Sequence, residues 1–530
     1  MTALSRLSKV PSFVQTVLSA YLISKSLRSW KGPATVARLV VALSLLNTVR
    51  TLIYNKYFHP LSHIPGGFTS LSNFYTALGT SIGRSHEFTP QAHKRFGKVV
   101  RVAPNIISVA DKNAIRDILV TTDYPKSEIH EAIELSDQHN LFSSRNKDFH
   151  KNRRRLVAPA FGISYLRSLE PLMQVLIRKL DEVLAAPDSV PQATVLPKGQ
   201  ANICSFLNRL SLDIIGETVF GQTFQMVLHD DHPVPKLLAK SLKRSQQQTF
   251  NPLLRWLVPV DRSFLIFGAE RVQMRKEAGE AGRRADLLQY LIDAQAKERE
   301  DGNGETGDEY QDMISGKLTD KALESEAFLF LAAGSDTSST AMTHTLMFLV
   351  KNPETLAKLR EEMDLATAGN PKGFLPSYDQ VRGLEYLTAC INESMRLRTV
   401  AATGIPREVP EDTTMAGIFV PAGTIVLAST PSLHLSDEYF PQADQYIPER
   451  WIPEESPFPP VQEFTFYPFS AGTRNCVGKN FAMMEMRLVL AAIITHYDIK
   501  DVPGQRTDYV QFITTALATG SYVLEMNKRT

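Results

Sequence analysis

The sequence predicts a mainly α fold with small β-sheets, an α+β body in which helices dominate. From about residue 114 to residue 350 the sequence is largely amphipathic with the helical period, as in DLLQYLIDAQ at residues 286–295. The segment KVVRVAPNIISVAD at residues 98–111 is rich in β-branched residues and interrupted by Pro-Asn, which favours a two-stranded hairpin. After Phe419 short strands alternate with proline turns, and a last helix is expected over residues 479–497.

Composition narrows the classes of function. Of 530 residues, 43% are hydrophobic and 22% are charged, which is the balance of an ordinary globular protein. The formal net charge is only +2, so charge gives no support to a nucleic-acid partner. The three cysteines are odd in number and widely separated, which excludes a disulfide framework. Cys204 and Cys390 lie in apolar, helical sequence and are expected to be buried structural thiols.

The N-terminal region, residues 1–58, predicts a membrane anchor and a hinge before a globular domain at residues 59–530. The uncharged stretch at residues 10–24 covers about 22 Å at ~1.5 Å per residue, short of a ~30 Å hydrocarbon core. Residues 34–54 are long enough to span if their two arginines reach the headgroups. The alternatives are a helical hairpin packed on the protein and a signal peptide, although no small-residue cleavage pattern follows the first stretch. The proline-rich segment at residues 58–67 predicts a stiff, non-helical connector.

The third cysteine stands in a polar, glycine-rich loop, FSAGTRNCVG at residues 469–478, just before the last predicted helix. The positive end of that helix and its free N–H groups favour a thiolate at Cys476. Gly478 leaves room for a large flat ligand, Gly472 permits a tight turn, and Arg474 is placed to meet an anionic group. Because the other thiolates of a zinc or iron–sulfur site are missing, a single thiolate suits an axial haem ligand.

This loop resembles that of the cytochrome P-450 superfamily. The superfamily pattern F-x-x-G-x-R-x-C-x-G is filled at every fixed position, by Phe469, Gly472, Arg474, Cys476 and Gly478. The resemblance implies a triangular helical body, with haem between a long central helix and the helix that follows the cysteine loop. It also implies that Cys476 supplies the proximal thiolate to haem iron, that Phe469 packs near the sulfur and that Arg474 pairs with a haem propionate.

Two further segments follow the superfamily order. ESMR places Glu393 and Arg396 on the same side of a helix, and PERW supplies Arg450 before the cysteine loop. On residue type alone the first two make a surface ion pair, worth at most a few tenths of a kcal/mol. The resemblance implies instead a buried Glu–Arg–Arg network with a structural role, which holds the haem-side loop in place.

Residues 327–350, AFLFLAAGSDTSSTAMTHTLMFLV, predict an apolar helix that contains an unusual group of polar residues. Thr337 can bond back to the carbonyl of Ala333, and with Gly334 adjacent this bond is expected to open the helix and admit water. Ala333, Gly334, Asp336 and Thr337 match the superfamily's A-G-x-[DE]-T oxygen-activation signature. The resemblance implies that Thr337 steadies bound oxygen and that Asp336 relays protons towards it. On residue type alone, Asp336 merely faces a polar pocket.

Three more positions are candidates for binding haem, and the resemblance implies that the two arginines among them pair with its propionates. FHKNRRRLVAP, residues 149–159, predicts an amphipathic helix whose basic residues form a solvated face by default. The superfamily has a W/H-x-x-x-R pattern on a helix beside the haem, which His150 and Arg154 match, with histidine in place of the commoner tryptophan. Arg407 corresponds to another propionate-binding arginine, for which a surface position at a strand end is the alternative.

The resemblance runs from about residue 58 to the C-terminus and implies a membrane-anchored haem-thiolate monooxygenase, most similar to microsomal fungal members. It implies haem b (iron protoporphyrin IX) and a location at the endoplasmic reticulum with a cytosolic catalytic domain. Electrons are expected from NADPH through a separate NADPH–cytochrome reductase, with cytochrome b5 as a further donor. Two alternatives remain: a haem-thiolate isomerase or dehydratase that needs no oxygen, and a non-catalytic haem sensor or carrier. The Asp336–Thr337 pair argues against the isomerase.

The expected substrate is a hydrophobic small molecule with a terpenoid, fatty acyl or aromatic skeleton, of the kind found in secondary metabolism. Four segments are expected to form the walls of its pocket, at residues 126–141, 328–333, 399–404 and 514–520. The last two are rich in small residues, which predicts a roomy and mostly apolar pocket.

Overall fold

The structure is a computed structural model that describes residues 33–132, 138–185, 196–197, 199–229, 232–250, 263–302 and 315–529. The first apolar stretch of the sequence, at residues 10–24, lies outside the described residues.

Helices dominate the described chain, which confirms the predicted fold class. In chain order the α-helices are α1 (Pro33–Tyr57), α2 (Asn73–Ser81), α3 (Ser85–Phe96), α4 (Lys112–Arg116), α5 (Glu128–Ala132), α6 (Lys147–Val157), α7 (Ile163–Ala185), α8 (Ile203–Ile215), α9 (Val234–Phe250), α10 (Ser263–Ala278), α11 (Leu287–Glu300), α12 (Asp320–Lys351), α13 (Pro353–Ala366), α14 (Tyr378–Val381), α15 (Glu385–Leu397), α16 (Thr430–His434) and α17 (Lys479–His496). The last helix ends one residue earlier than predicted because Tyr497 begins a strand.

The strands form small sheets beside the helical body. They are β1 (Val99–Ala103), β2 (Ile106–Val109), β3 (Gln200–Asn202), β4 (Ile405–Glu408), β5 (Thr413–Met415), β6 (Ile418–Val420), β7 (Ile425–Ala428), β8 (Tyr497–Asp501), β9 (Tyr509–Phe512), β10 (Thr514–Leu517) and β11 (Val523–Lys528). A four-stranded sheet has the order β1-β2-β7-β4, and its β1–β2 pair is the predicted hairpin. Strand β2 runs parallel to β7, and β7 pairs antiparallel with β4, where Arg407 lies opposite Val426. The order β3-β11-β8 forms a second sheet, and β5–β6 and β9–β10 are two-stranded.

The central helix α12 runs through the larger hydrophobic core and packs closely on α8. Its N-terminus is capped by Thr319, whose side chain accepts a hydrogen bond from the N–H of Ala322. A Cβ at Gly334 would lie 2.3 Å from Cδ1 of Ile215, so glycine lets the two helices approach. Cys390 is buried as predicted, whereas Cys204 on α8 is only half-buried.

Helix α1 is the helix of the described chain that is long and apolar enough to cross a membrane. Most residues of its apolar stretch, residues 37–57, are exposed to solvent rather than packed inside the protein, and Leu46 is 66% exposed. Its C-terminal end is tied to the body, because Asn55 donates from Nδ2 to the carbonyl of Leu71 at 2.8 Å.

The connector after α1 is non-helical, as predicted, and it packs against the body. Leu61 and Ile64 are 0% and 3% exposed, within the smaller hydrophobic core under the four-stranded sheet. The N–H of Arg101 donates to the carbonyl of Pro65 at 2.8 Å, so the connector also bonds to β1. Movement of α1 relative to the body would therefore break both apolar and polar contacts.

Candidate active site

The cysteine loop is a tight turn that presents Cys476 at the start of α17. The N–H of Cys476 donates to the carbonyl of Phe469 at 2.9 Å, which closes the loop on itself. Gly472 has a φ of +70°, and a Cβ there would lie 2.0 Å from the carbonyl oxygen of Leu119, so the position requires glycine. A Cβ at Gly478 would lie 3.9 Å from the Cys476 sulfur, which is an ordinary contact distance.

Opposing influences act on the thiol of Cys476. Its open surface faces a cavity, while the surrounding protein atoms remove it from bulk water. Burial raises the pKa of the thiol, whereas the N–H of Gly478 and the positive charges of Arg154 and Lys479 favour the thiolate. No group of three His, Cys, Asp or Glu side chains that could hold a metal ion is found in the described part of the chain. A metal bound at Cys476 would therefore take most of its ligands from a cofactor.

Behind the cysteine loop, Glu393, Arg396 and Arg450 meet in a buried network. Glu393 accepts two hydrogen bonds from Arg396, at 2.9 and 2.8 Å, and one from Nε of Arg450 at 2.9 Å. Trp451 donates its indole N–H to the same carboxylate at 3.0 Å. The remaining donors of Arg396 bond to the carbonyls of His434, Ala443 and Gln445. The network thus binds α15 to the irregular segment that leads into the cysteine loop.

A cavity of about 1050 Å³ lies between α12 and the cysteine loop. The candidate residues that line it are Ala333, Gly334, Thr337, His150, Arg154, Arg407, Phe469, Arg474, Cys476 and Gly478. The rest of the candidate set, Gly472, Asp336, Glu393, Arg396 and Arg450, lies behind this lining and supports it. Side chains more than 300 residues apart in sequence, such as His150 and Cys476, therefore share one enclosed space.

The four expected wall segments contribute unequally to the cavity. Residues 126–141, 328–333 and 399–404 each supply several lining residues. Of residues 514–520 only Thr514 lines the cavity, because the following residues of β10 pair with β9 and continue away from it. Helices α2 and α3 also contribute to the lining, including Leu78 and Phe88, and no sequence motif pointed to them.

The wall beside the cysteine loop is strongly basic. Arg407 is 1% exposed, and burial together with the charge of Arg474 lowers its pKa to about 10. Nε of Arg407 and both Nε and Nη1 of Arg474 are buried without a hydrogen-bond acceptor in the described structure. Asp123 approaches Arg474 only to 3.8 Å. Since buried donors are normally paired, these groups indicate a site for an anionic ligand.

Two further basic residues of this wall lie in the wall segment expected at residues 126–141, although no motif singled them out. Lys126 is 5% exposed and donates to the carbonyls of Leu141 and Phe142 at 2.8 and 2.7 Å. Burial and the nearby arginines hold its pKa well below the usual range. His130 is 5% exposed, its pKa is also strongly lowered by burial, and its Nδ1 has no partner in the described structure. Neither residue lies in a recognisable motif, so only the fold reveals them.

His150 and Arg154 lie on α6, one helical turn apart, and both line the cavity. Burial and the neighbouring Lys126 and arginines lower the pKa of His150 to about 3, so its imidazole is neutral at physiological pH. Arg154 donates from Nη1 to the carbonyl of Asn475 at 2.7 Å and from Nη2 to the Asn475 side chain. Arg154 therefore joins α6 to the residue that precedes Cys476.

Thr337 and Asp336 face different directions from α12. Thr337 lines the cavity, and its hydroxyl donates to the carbonyl of Ala333 at 2.8 Å, as expected. The expected opening of the helix does not occur, because α12 is continuous from Asp320 to Lys351. The carboxylate of Asp336 accepts from Nδ2 of Asn208 on α8 at 3.0 Å, and burial raises its pKa. The hydrogen bond from Asn208 opposes this rise but does not cancel it, so the pKa of Asp336 stays above its usual value.

Comparison with known proteins identifies the class that this fold and site define. The sequence profile of the cytochrome P450 family matches residues 65–521. The chain is 32% identical over 487 residues to the cytochrome P450 monooxygenase acrD of Aspergillus aculeatus, covering 89% of this chain and 92% of acrD. It is 31% identical over 523 residues to the cytochrome P450 monooxygenase FUS8 of Gibberella moniliformis, covering 96% of each chain.

A further relative is the cytochrome P450 monooxygenase LUC2 of a Fusarium species, 32% identical over 500 residues and covering 91% of each chain. The protein belongs to the cytochrome P450 family, and it is an oxidoreductase of the monooxygenase class. Members of this family carry haem.

The residues of the cavity fit a haem group. Haem has two carboxylates, and the basic wall offers Arg407 and Arg474 with unused donors. It also needs an axial ligand, and Cys476 presents its sulfur to the same cavity. The two requirements are met on adjoining parts of one lining.

Replacing Glu393 by alanine is expected to lower the free energy of unfolding by about 3–5 kcal/mol, because two buried arginines lose their shared carboxylate. Chemical unfolding followed by circular dichroism measures this change. Asp379→Ala is the matched control, since it removes a carboxylate that pairs with Arg167 and Arg382 at an exposed site and should cost under about 1 kcal/mol. Equal losses in the two variants would contradict a structural role for the buried network.

Proposed function

We propose that the protein is a haem-thiolate monooxygenase that oxidises a hydrophobic small molecule with molecular oxygen. The observation that carries this proposal is the convergence in one cavity of the Cys476 thiol, an unpaired basic wall and Thr337. The thiol and the basic wall suit haem, while Thr337 stands on the central helix that faces the cavity from another side. A reacting substrate fits in the apolar space that remains between them.

Three residues would hold the haem, and a fourth would hold the loop that carries the cysteine. Cys476 would be the axial ligand, and Arg407 and Arg474 would bind the propionates through their unused donors. Arg154 would act on the loop itself, since it holds Asn475 through two hydrogen bonds. Haem b is the form proposed, and when bound it supplies the redox and oxygen chemistry of the reaction.

Thr337 and Asp336 would bind and transfer protons on the side of the cavity that α12 forms, opposite the cysteine loop. The Thr337 hydroxyl donates its hydrogen bond to the Ala333 carbonyl. The lone pairs of the hydroxyl oxygen would therefore be free to accept a hydrogen bond from a group in the cavity. Asp336 would hold a proton at higher pH than an ordinary aspartate because burial raises its pKa by more than the hydrogen bond from Asn208 lowers it. Rotation of Asp336 away from Asn208 would bring that proton towards the cavity. This pair supports oxygen activation over the isomerase alternative, which has no use for a proton relay.

The chain would work at a membrane. Helix α1 exposes its apolar residues along its length, and the endoplasmic reticulum with a cytosolic catalytic domain at residues 59–530 is the proposed location. Electrons would come from NADPH through a separate membrane-bound cytochrome reductase, with cytochrome b5 as a further donor. The substrate would have a terpenoid, fatty acyl or aromatic skeleton, since aliphatic and aromatic side chains such as Phe88, Phe328 and Ile513 line the cavity.

Cys476→Ser is expected to abolish the thiolate-type Soret band of the reduced carbon monoxide complex, because serine does not supply a thiolate. Absorption spectroscopy of the purified protein measures this band. Cys204→Ser is the control, since Cys204 does not line the cavity and should keep the band. A thiolate-type band in Cys476→Ser would overturn the ligand assignment.

Thr337→Ala is expected to keep the carbon monoxide band but to release more of the NADPH-derived electrons as hydrogen peroxide, because the accepting oxygen is lost. Product and peroxide formed per NADPH consumed are the measurement. Thr345→Ala is a matched control, since Thr345 bonds back to Ala341 at 2.8 Å on the same helix and is buried away from the cavity. Unchanged product per NADPH in Thr337→Ala would contradict the proton role.

A further inference from the structure

The cavity segment at residues 138–145 has no regular secondary structure, yet it is closely fastened to its surroundings. Four consecutive residues of it line the cavity, from Asn140 to Ser143. The N–H groups of Phe142 and Ser143 both donate to Oδ1 of Asn140 at 3.0 Å. The shape of this wall therefore depends on side chains that form hydrogen bonds with its backbone N–H and C=O groups, because the segment is part of no sheet or helix.

Glu326 of the central helix α12 holds this segment in place. Its side chain is 0% exposed, and Oε1 accepts from the N–H of Leu141 at 2.8 Å. The same oxygen accepts from Nη1 of Arg153 on α6 at 2.9 Å. One buried carboxylate thus joins the cavity segment, the central helix α12 and helix α6.

Arg153 is fixed as firmly as its partner. Its side chain is 1% exposed, and its other donors bond to the carbonyls of Gly316 and Lys317 at 3.1 and 2.5 Å. The guanidinium also lies over the ring of Phe149, 4.9 Å from its centroid. The pair is therefore held from both sides and has little freedom to follow a moving segment.

The opposite side of the segment is held by Lys126, which donates to the carbonyls of Leu141 and Phe142. Leu141 is thus bound through its N–H to an anion and through its carbonyl to a cation. Half a turn further along α12, Phe328 and Leu329 line the cavity beside the segment. The position of Leu141 relative to these side chains depends on Glu326.

We propose that Glu326 is a positioning residue for ligand binding. It fastens residues 140–143 to α12 and so sets the spacing between this segment and the cavity side of the central helix. A buried ion pair such as Arg153–Glu326 adds little net stability compared with apolar residues of the same volume. Its main effect is therefore on the position of the cavity wall. The inference rests on the proposed function only in taking the cavity as the site where the substrate binds.

The test uses the full-length, haem-loaded protein and three variants. Glu326→Ala removes both hydrogen bonds, and Glu326→Gln keeps an oxygen that accepts from Leu141. The matched control is Asp213→Asn, which alters a buried carboxylate on α8 that accepts from the N–H groups of Met226 and Val227 in another loop.

The first measurement is amide hydrogen exchange of residues 138–145, read by mass spectrometry. Loss of a buried hydrogen bond to a charged group should speed exchange in Glu326→Ala by about tenfold or more. Glu326→Gln should fall between this variant and the original chain, and Asp213→Asn should leave the segment unchanged. Unchanged exchange in Glu326→Ala would overturn the proposal.

The second measurement compares the dissociation constants of imidazole and 1-dodecylimidazole, followed by the shift of the haem spectrum. Imidazole is too small to reach the segment, whereas the alkyl chain of the second probe must pass along the cavity wall. Glu326→Ala should weaken 1-dodecylimidazole by about tenfold and leave imidazole unchanged. An equal change for both probes would overturn the proposal. Failure of imidazole to shift the spectrum of the original chain would instead count against the proposed function, and hydrogen exchange would still decide the role of Glu326.

Discussion

The basic wall of the cavity is the constraint on which the rest of the site depends. Lys126, Arg154, Arg407 and Arg474 approach one another beside Cys476, and no aspartate or glutamate is among the described lining residues. Burial first, and then the neighbouring charge of Arg474, lower the pKa of Arg407, so this arrangement is unfavourable without an anion. In the proposed function, a ligand with two carboxylates would remove the repulsion between these arginines when it binds.

The network of Glu393, Arg396 and Arg450 supports the loop that carries part of this basic wall. Arg474 and Cys476 lie on a loop with almost no regular structure, which would be mobile without support. The buried Arg396 and Arg450 fasten the segment that leads into this loop, and Arg154 fastens Asn475 from the other side. The turn at Gly472, the buried ion network and the arginine that joins α6 to the loop therefore together fix the position of the sulfur.

The division of roles along α12 follows from which way each side chain faces. Thr337 and Ala333 face the cavity, while Asp336 faces α8 and Glu326 faces the cavity segment and α6. The single long helix α12 therefore contributes Thr337 to the cavity lining, Asp336 to the contact with α8 and Glu326 to the contact with the cavity segment. Gly334 makes this possible because it lets α8 approach closely enough for Asn208 to reach Asp336.

Features built from neighbouring residues could be predicted from the sequence. The β1–β2 hairpin, the last helix and the turn at Gly472 follow from local patterns, and the bond from Thr337 to Ala333 spans only four residues. The placement of the charged residues Glu393 and Arg450 was expected only because the order of motifs resembled a known family. Residue type alone favoured an exposed position.

What escaped prediction depends on contacts between distant parts of the chain. Glu326 and Arg153 are separated by 173 residues, and Asp336 and Asn208 by 128. No local period distinguishes these residues from other polar residues on amphipathic helices. Lys126 was named only as the start of an expected wall segment, and its role beside the arginines emerges once β4 brings Arg407 next to it.

The most direct test of the central claim compares haem with its dimethyl ester, in which both propionates are uncharged. The apoprotein is expected to take up haem and retain it, whereas the ester should dissociate at least about tenfold faster because the buried arginines stay unpaired. Transfer of each pigment to excess apomyoglobin gives the two dissociation rates. Equal rates for haem and its dimethyl ester would contradict the claim that the basic wall exists to bind the two carboxylates.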